Sequence, residues 1–245
     1  MIKVFKIFII GFIFLGLKVQ SQRMMCSEEL MNQMRFNLEK SLTTDSCDAD
    51  CRLNLADTYV YFRKWDDAIK IVDNLFNSGN TVKATDNVLK LSYDPTKAYF
   101  IKGKAYSGKK DYTQAIAEFT KASKLWERRE NIQASKEYHE IYFQRALAYD
   151  NHKSYENAIA DLSFLIQMKD EDNWRWYSAR AKIYEHASQK QNAAQDYFSL
   201  GKILVDYNSL AAAKIHIDDL KRLGANKEAL VLATLIKNKE KMPKN

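Results

Sequence analysis

Four histidines, three cysteines and a cluster of aspartates are the side chains here best equipped for chemistry. His139, His152, His186 and His216 are scattered, with neither an H-E-x-x-H pair nor a cysteine partner beside them. No G-x-S-x-G elbow, phosphate-cradling glycine loop or dinucleotide fingerprint occurs. Cys26, Cys47 and Cys51 all fall in the first fifth of the chain, and a three-cysteine metal site would lack a convincing fourth ligand. Asp45, Asp48 and Asp50 suggest calcium only superficially, because the glycine and distal Glu of a calcium loop are missing. They read better as acids capping a helix start. The sequence therefore predicts no catalytic residues, no metal and no cofactor. If the chain is exported, the cysteines can oxidise. Cys47 and Cys51 sit four apart, a separation that suits a bridge along a helix poorly. Two pairings stay open, Cys26–Cys51 and Cys26–Cys47, with the third thiol free or paired between chains.

The elements around these residues are helical. Five glycines beyond residue 21 and two prolines in the whole chain suit long helices and argue against an all-β fold. The stretch from Tyr142 to Ile166 reads as one hairpin. Ala146 and Tyr149 mark a first helix, Asp150 to Ser154 a polar turn, and Tyr155, Ala158, Leu162 and Leu165 the apolar face of a second helix. One such hairpin cannot bury its own face, and the pattern recurs. Tyr106, Tyr112, Ala115, Phe119 and Ala122 repeat it, as do Tyr59, Trp65, Ala68, Val72 and Leu75. A looser copy is Tyr184, Lys190, Ala193, Tyr197 and Leu200. A small residue (Ala56, Gly103, Ala146, Ala181) stands three before each leading tyrosine.

This pattern resembles the tetratricopeptide repeat family, in which W-x2-L-G-x2-Y is followed by A-x3-F and P. The resemblance covers about residues 48 to 204 and implies an all-α, TPR-type solenoid of stacked hairpins. Small residues would sit where helices touch most closely, and aromatics would fill the space between hairpins. The proline at the repeat end is missing throughout. Spacings of 47, 43 and 35 residues between Ala68, Ala115, Ala158 and Ala193 predict insertions or extended helices at the first two junctions.

The resemblance also implies a function. In the family, the first helices of successive hairpins line a concave groove that holds an extended peptide or a helix. The matching positions are Asp50, Leu53, Asp57, Val60 and Tyr61 in repeat one, and Lys97, Phe100, Lys104 and Ser107 in repeat two. Repeat three contributes Glu140, Phe143, Leu147 and Asp150, and repeat four Arg175, Ser178, Lys182 and Glu185. Leu53, Phe100 and Phe143 occupy equivalent places and are expected to form an apolar ladder flanked by charge. Members that grip a chaperone's C-terminal carboxylate use a Lys and an Asn where this chain has Leu53 and Asp57, so that activity is not expected.

The first 21 residues are a different material. Lys3 and Lys6 precede an uncharged run from Ile7 to Leu17, and Val19 and Ser21 fit a cleavage site before Gln22. The run is short of the ~20 residues that span a bilayer, so residues 1–21 are read as a signal peptide leaving no stable membrane span. Lipidation at Cys26 is disfavoured by the bulky, charged Arg23-Met24-Met25 before it. The expected location is the periplasm or outside the cell, with a bacterial envelope favoured. Lys3, Lys6 and Lys18 carry three of the net +7 charges, and the other Lys and Arg alternate with acids along solvated helix faces. No clustered basic stripe points to nucleic acid.

Residues 22–44 are expected to cap the array with an amphipathic helix whose apolar points are Leu30, Met31, Met34, Phe36 and Leu38. The repeats are placed at about 48–78, 96–127, 139–169 and 174–204, with 78–94 an irregular stretch folding back on the array. Residues 205–239 form a closing helix pair or degenerate fifth repeat, and 240–245 a flexible tail. The resulting expectation is an exported, non-catalytic module that binds a protein or peptide. A structural subunit of an envelope assembly is the alternative.

Overall fold

Helix-favouring runs of 13 to 17 residues, broken by short polar turns, set the architecture. A computed structural model describes residues 28–43, 48–77, 81–83, 89–91, 94–127, 136–168 and 173–241. The chain divides into two compact units, Met1–Asp94 and Pro95–Asn245.

In the first unit, helix α1 spans residues 28–43, α2 Ala49–Tyr61 and α3 Trp65–Asn77. Asp48 caps α2, its side chain accepting from the Cys51 amide at 2.8 Å, as its position among the acidic residues suggests. Cys51 is disulfide-bonded. Cys26, Cys47 and Asp45 lie outside the described residues. Strands β1 (Thr81–Lys83) and β2 (Leu89–Leu91) pair antiparallel, Val82 opposite Lys90. Part of the stretch expected to be irregular is thus a pair of short antiparallel strands.

Helix α1 meets α2 differently from the expectation. Leu30 is 69% and Phe36 61% exposed, while Met31, Arg35, Leu38 and Glu39 form the half-buried stripe. Glu39 accepts the Tyr59 hydroxyl at 2.9 Å, and the Arg35 guanidinium lies 4.8 Å from the Phe62 ring. Burial, together with the Glu39 acceptor, pushes the Tyr59 phenol up to about 12. Polar and cation–π contacts thus accompany the half-buried apolar points Met31 and Leu38 along this stripe.

The second unit contains α4 (Pro95–Gly108), α5 (Tyr112–Trp126), α6 (Lys136–Asn151) and α7 (Tyr155–Gln167). It continues with α8 (Asn173–His186), α9 (Lys190–Asp206), α10 (Leu210–Arg222) and α11 (Asn226–Glu240). Each helix packs on the next in the chain, and first helices also touch alternate neighbours, α4 with α6 and α6 with α8. The alanines that register the second helices, Ala115, Ala158 and Ala193, are fully buried, and Ala229 holds the same place in α11. Within the stretch expected as a closing helix pair or degenerate repeat, α10 and α11 pack on each other and on α9.

One turn recurs wherever a first helix meets its second. Arg63, Lys110, Lys153 and Ser188 adopt left-handed backbone at φ 58°, 63°, 63° and 60°, and Gly224 does so at 82°. The next amide reaches back five residues to the carbonyl of the leading tyrosine. Lys64 reaches Tyr59, Asp111 Tyr106, Ser154 Tyr149 and Gln189 Tyr184, at 2.7 to 3.0 Å. This closure satisfies a carbonyl that a helix end leaves without an intrahelical partner. The tyrosine thus fixes each hairpin through its backbone as well as through its ring.

Close approach is tightest at two glycines. A Cβ on Gly103 would stand 2.6 Å from the Phe119 ring, and one on Gly201 2.5 Å from Leu232. Gly103 is the small residue expected at a helix contact, and Gly201 serves the same purpose between α9 and α11.

Candidate functional site

Four register positions on each first helix face the same way in the second unit. They give Lys97, Phe100, Lys104 and Ser107 on α4, Glu140, Phe143, Leu147 and Asp150 on α6, and Arg175, Ser178, Lys182 and Glu185 on α8. Side chains from adjoining helices meet across this face. The Phe143 and Trp176 rings lie 5.0 Å apart, and the Arg175 guanidinium stacks on both, at 5.0 and 4.9 Å. Arg175 also reaches Glu140 at 3.5 Å, while Glu140 accepts from Gln144 at 2.8 Å. On α4, the Lys104 ammonium lies 5.0 Å from the Phe100 ring, which packs toward Phe119 at 5.8 Å. Phe100, Phe143 and Leu147 are half-buried, and Lys97 and Lys182 are exposed.

Further polar links close the other end of this face. His186 Nδ1 lies 2.8 Å from Asp150, joining α8 to α6. Glu185 accepts from Tyr197 at 2.7 Å and from both terminal nitrogens of Arg222, which also reaches Asp219 at 3.1 Å. The Arg222 hydrogen bond, against a smaller desolvation effect, holds the Glu185 carboxyl below its ordinary range. The Tyr197 phenol is pushed well above its usual value, chiefly by burial and then by the Glu185 acceptor. His216, stacked on Tyr197 at 5.5 Å, lies 3.0 Å from Asp219.

The first unit contributes less than the sequence predicted. Leu53, expected as one rung of the apolar ladder, is fully buried and offers no side chain to a partner. A leucine pointing into a two-helix unit gains more from burial than from exposure, by about 1.5–3 kcal/mol. Tyr61 is exposed, and Asp50 and Asp57 lie on the same helix.

Sequence reasoning missed the most regular polar feature. Arg145 on α6 makes two hydrogen bonds to Asp161 on α7, at 2.8 and 2.7 Å, and its third nitrogen reaches Ser123 on α5 at 2.8 Å. Arg180 on α8 repeats this with Asp196 on α9, twice at 2.8 Å, and with Ser163 on α7 at 2.7 Å. Asp161 and Asp196 are buried, contrary to the reading of alternating charges as solvated faces. Burial pushes both carboxyls up despite the opposing pull of the arginines. Desolvation is the largest single effect on the two guanidiniums and pulls them down, but the Asp hydrogen bonds and charge attraction together raise them above their ordinary range. A signal was present: both pairs have the same sixteen-residue offset. The corresponding pair in the second repeat is Lys102 and Glu118, and in the first Leu55 and Ile71.

Among the described residues, no three His, Cys, Asp or Glu side chains converge to hold a metal ion. No described helix is long and apolar enough to cross a membrane. His139 is buried near the Tyr138 and Trp176 rings, and His152 bonds Ser154, so the four histidines stay apart.

Stacked helical hairpins with a shared inner face define the class as an α-solenoid. The tetratricopeptide repeat model matches residues 96–125, which are α4 and α5 with their turn. Solved structures with this fold include MamA, 18% identical, with a TM-score of 0.56 over 75% of this chain and 94% of that one. They also include BtubC from P. vanneervenii, 14% identical, with a TM-score of 0.59 over 89% and 94%. YrrB, described as a TPR protein with an unusual peptide-binding site, is 15% identical, with a TM-score of 0.51 over 82% and 91%. No curated protein sequence matches the chain. The chain has the fold of the tetratricopeptide-repeat proteins, and α4 with α5 is such a repeat by its own sequence.

Proposed function

We propose that the chain is an exported, non-catalytic protein-interaction module whose second unit holds a peptide or partner segment against α4, α6 and α8. One observation carries the reading. Phe143 is held by the tilted Trp176 ring and the Arg175 guanidinium, yet it remains half-exposed beside Leu147. Ordering an aromatic this way in advance reduces the entropy lost on binding, and a half-open apolar patch rimmed by charge is the usual mark of a docking site. The peptide-binding site named for YrrB supports the reading by likeness of fold. Export rests on the leader-like residues 1–21, and N-terminal sequencing of the purified mature protein should begin at Gln22.

The test is a pull-down from the native envelope fraction with wild-type protein and a Phe100→Ala/Phe143→Ala variant, with circular dichroism checking that the variant folds. A partner lost only from the folded variant supports the inner face. Partners retained by it would sink the groove reading.

A second reading, docking through one end into a larger envelope assembly, is favoured by Leu230. Its counterparts Ile116, Ile159 and Ala194 all belong to apolar clusters formed with the following hairpin, whereas Leu230 is 70% exposed on α11. A stoichiometric complex abolished by Leu230→Glu, and untouched by the groove variant, would establish this second reading.

A further inference from the structure

We infer that α1 of one copy of this chain docks on the outer face of α11 in the next; this rests on the second reading above, docking through the α11 end. Among the described residues, most of the large apolar side chains left exposed lie on the first and last helices. They are Leu30, Met34, Phe36 and Leu42 on α1, and Leu230 and Val231 on α11. Each earlier second helix of the second unit packs against the first helix that follows it, α5 on α6, α7 on α8 and α9 on α10. The place beside Leu230 is thus one that a helix fills in every other hairpin of this unit. On α1, Leu30, Met34, Leu38 and Leu42 recur at four-residue steps and form an apolar stripe, of which Leu38 is half-buried and the other three are exposed.

Charge fits these two helices to each other and sets their direction. Glu28 and Glu29 are exposed in the first turn of α1. On α11, Thr234, Lys237 and Lys241 follow Leu230 at helical spacing and share its face. Both lysines are exposed and make no ion pair among the described residues. With the helices antiparallel and Met34 seated on Leu230, the two acids lie about 8–9 Å along α1 from that contact, and Lys237 about 10 Å along α11. Acids therefore meet lysines, with Lys241 one turn beyond. The antiparallel sense also opposes the two helix dipoles. Because α1 and α11 are different surfaces, the contact is heterologous: each copy keeps one face open, and association continues unless it closes into a ring.

The test is size-exclusion chromatography with light scattering on the purified mature protein over a range of concentrations. It compares wild type with Leu30→Glu/Met34→Glu and with Leu230→Glu, circular dichroism checking that both variants fold. The expected result is a mass that climbs beyond one chain for the wild type and stays at one chain for either variant alone. Mixed together, the two variants should form a dimer and stop there, because each still carries the one intact face that the other lacks. Lys237→Glu should weaken association by about fivefold, and adding Glu28→Lys/Glu29→Lys should restore it. A wild-type mass of one chain at every concentration would overturn the inference. If a complex with another envelope protein then still requires Leu230, the second reading stands without it; if none does, both fall. Self-association lost in Leu230→Glu but kept in Leu30→Glu/Met34→Glu would make the interface a two-fold α11 pair and remove α1 from it.

Discussion

The Arg145–Asp161–Ser123 and Arg180–Asp196–Ser163 arrangements join three successive helices through one guanidinium each. Desolvating such a pair costs nearly as much as its attraction returns, so breaking it differs sharply from replacing it. Arg145→Met, which strands Asp161, is expected to destabilise by about 3–5 kcal/mol. Arg145→Leu/Asp161→Ile, which installs the Leu55 and Ile71 pairing of the first repeat, should be neutral or stabilising. Chemical denaturation of the two variants makes the comparison. Glu185 contributes to the pH dependence in acid. Its folded pKa lies below the ordinary 4.5, so its contribution is complete above that value and is lost as pH falls through the depressed folded value. Glu185→Gln should flatten the acid limb of the melting temperature below about pH 4.5, and an unchanged limb would refute this assignment. The buried pairs were hard to read because a charged residue on an amphipathic helix looks the same whether it faces water or a partner sixteen residues on.

Among the elements, three hairpins place the small residue of the first helix sixteen residues before a second-helix residue, the bulkiest of which stands opposite the glycine. The matched pairs are Ala56 with Val72, Gly103 with Phe119 and Ala146 with Leu162. Of these three partners, the Phe119 ring is the one that leaves no room for a Cβ. Gly103→Ala should therefore cost about 1–3 kcal/mol through overpacking. Gly103→Ala/Phe119→Leu, which recreates the third repeat's pair, should recover most of that loss in a thermal melt. The second-helix alanines and the small residues were legible because nothing larger fits where helices touch. The Leu53 burial and the outward-facing Leu30 and Phe36 were not. A helical period identifies an apolar stripe, but it does not say which neighbour, if any, covers that stripe.

As a whole molecule, the chain separates at Asp94 into two compact units. Pro95–Asn245 contains four complete hairpins, more than the three or so that a repeat array needs for stability. Expressed alone, residues 95–245 should fold with full helical circular dichroism and a cooperative melt; a non-cooperative transition would tie its stability to the first unit. The solenoid class was legible because four copies share their spacing. The division at Asp94 was not, because spacing within repeats carries no information about how strongly successive repeats pack.

Hairpins three and four carry the same Arg–Asp pair at the same offset, thirty-five residues apart, and hairpin two carries its chemical cousin in Lys102 and Glu118. The serine that completes each arrangement sits at a different place relative to its own helix: Ser123 follows Ala115 by eight residues, Ser163 follows Ala158 by five. The pair is thus a fixed part of the repeat's register, while the third contact is set by whichever hydroxyl the preceding second helix brings within reach.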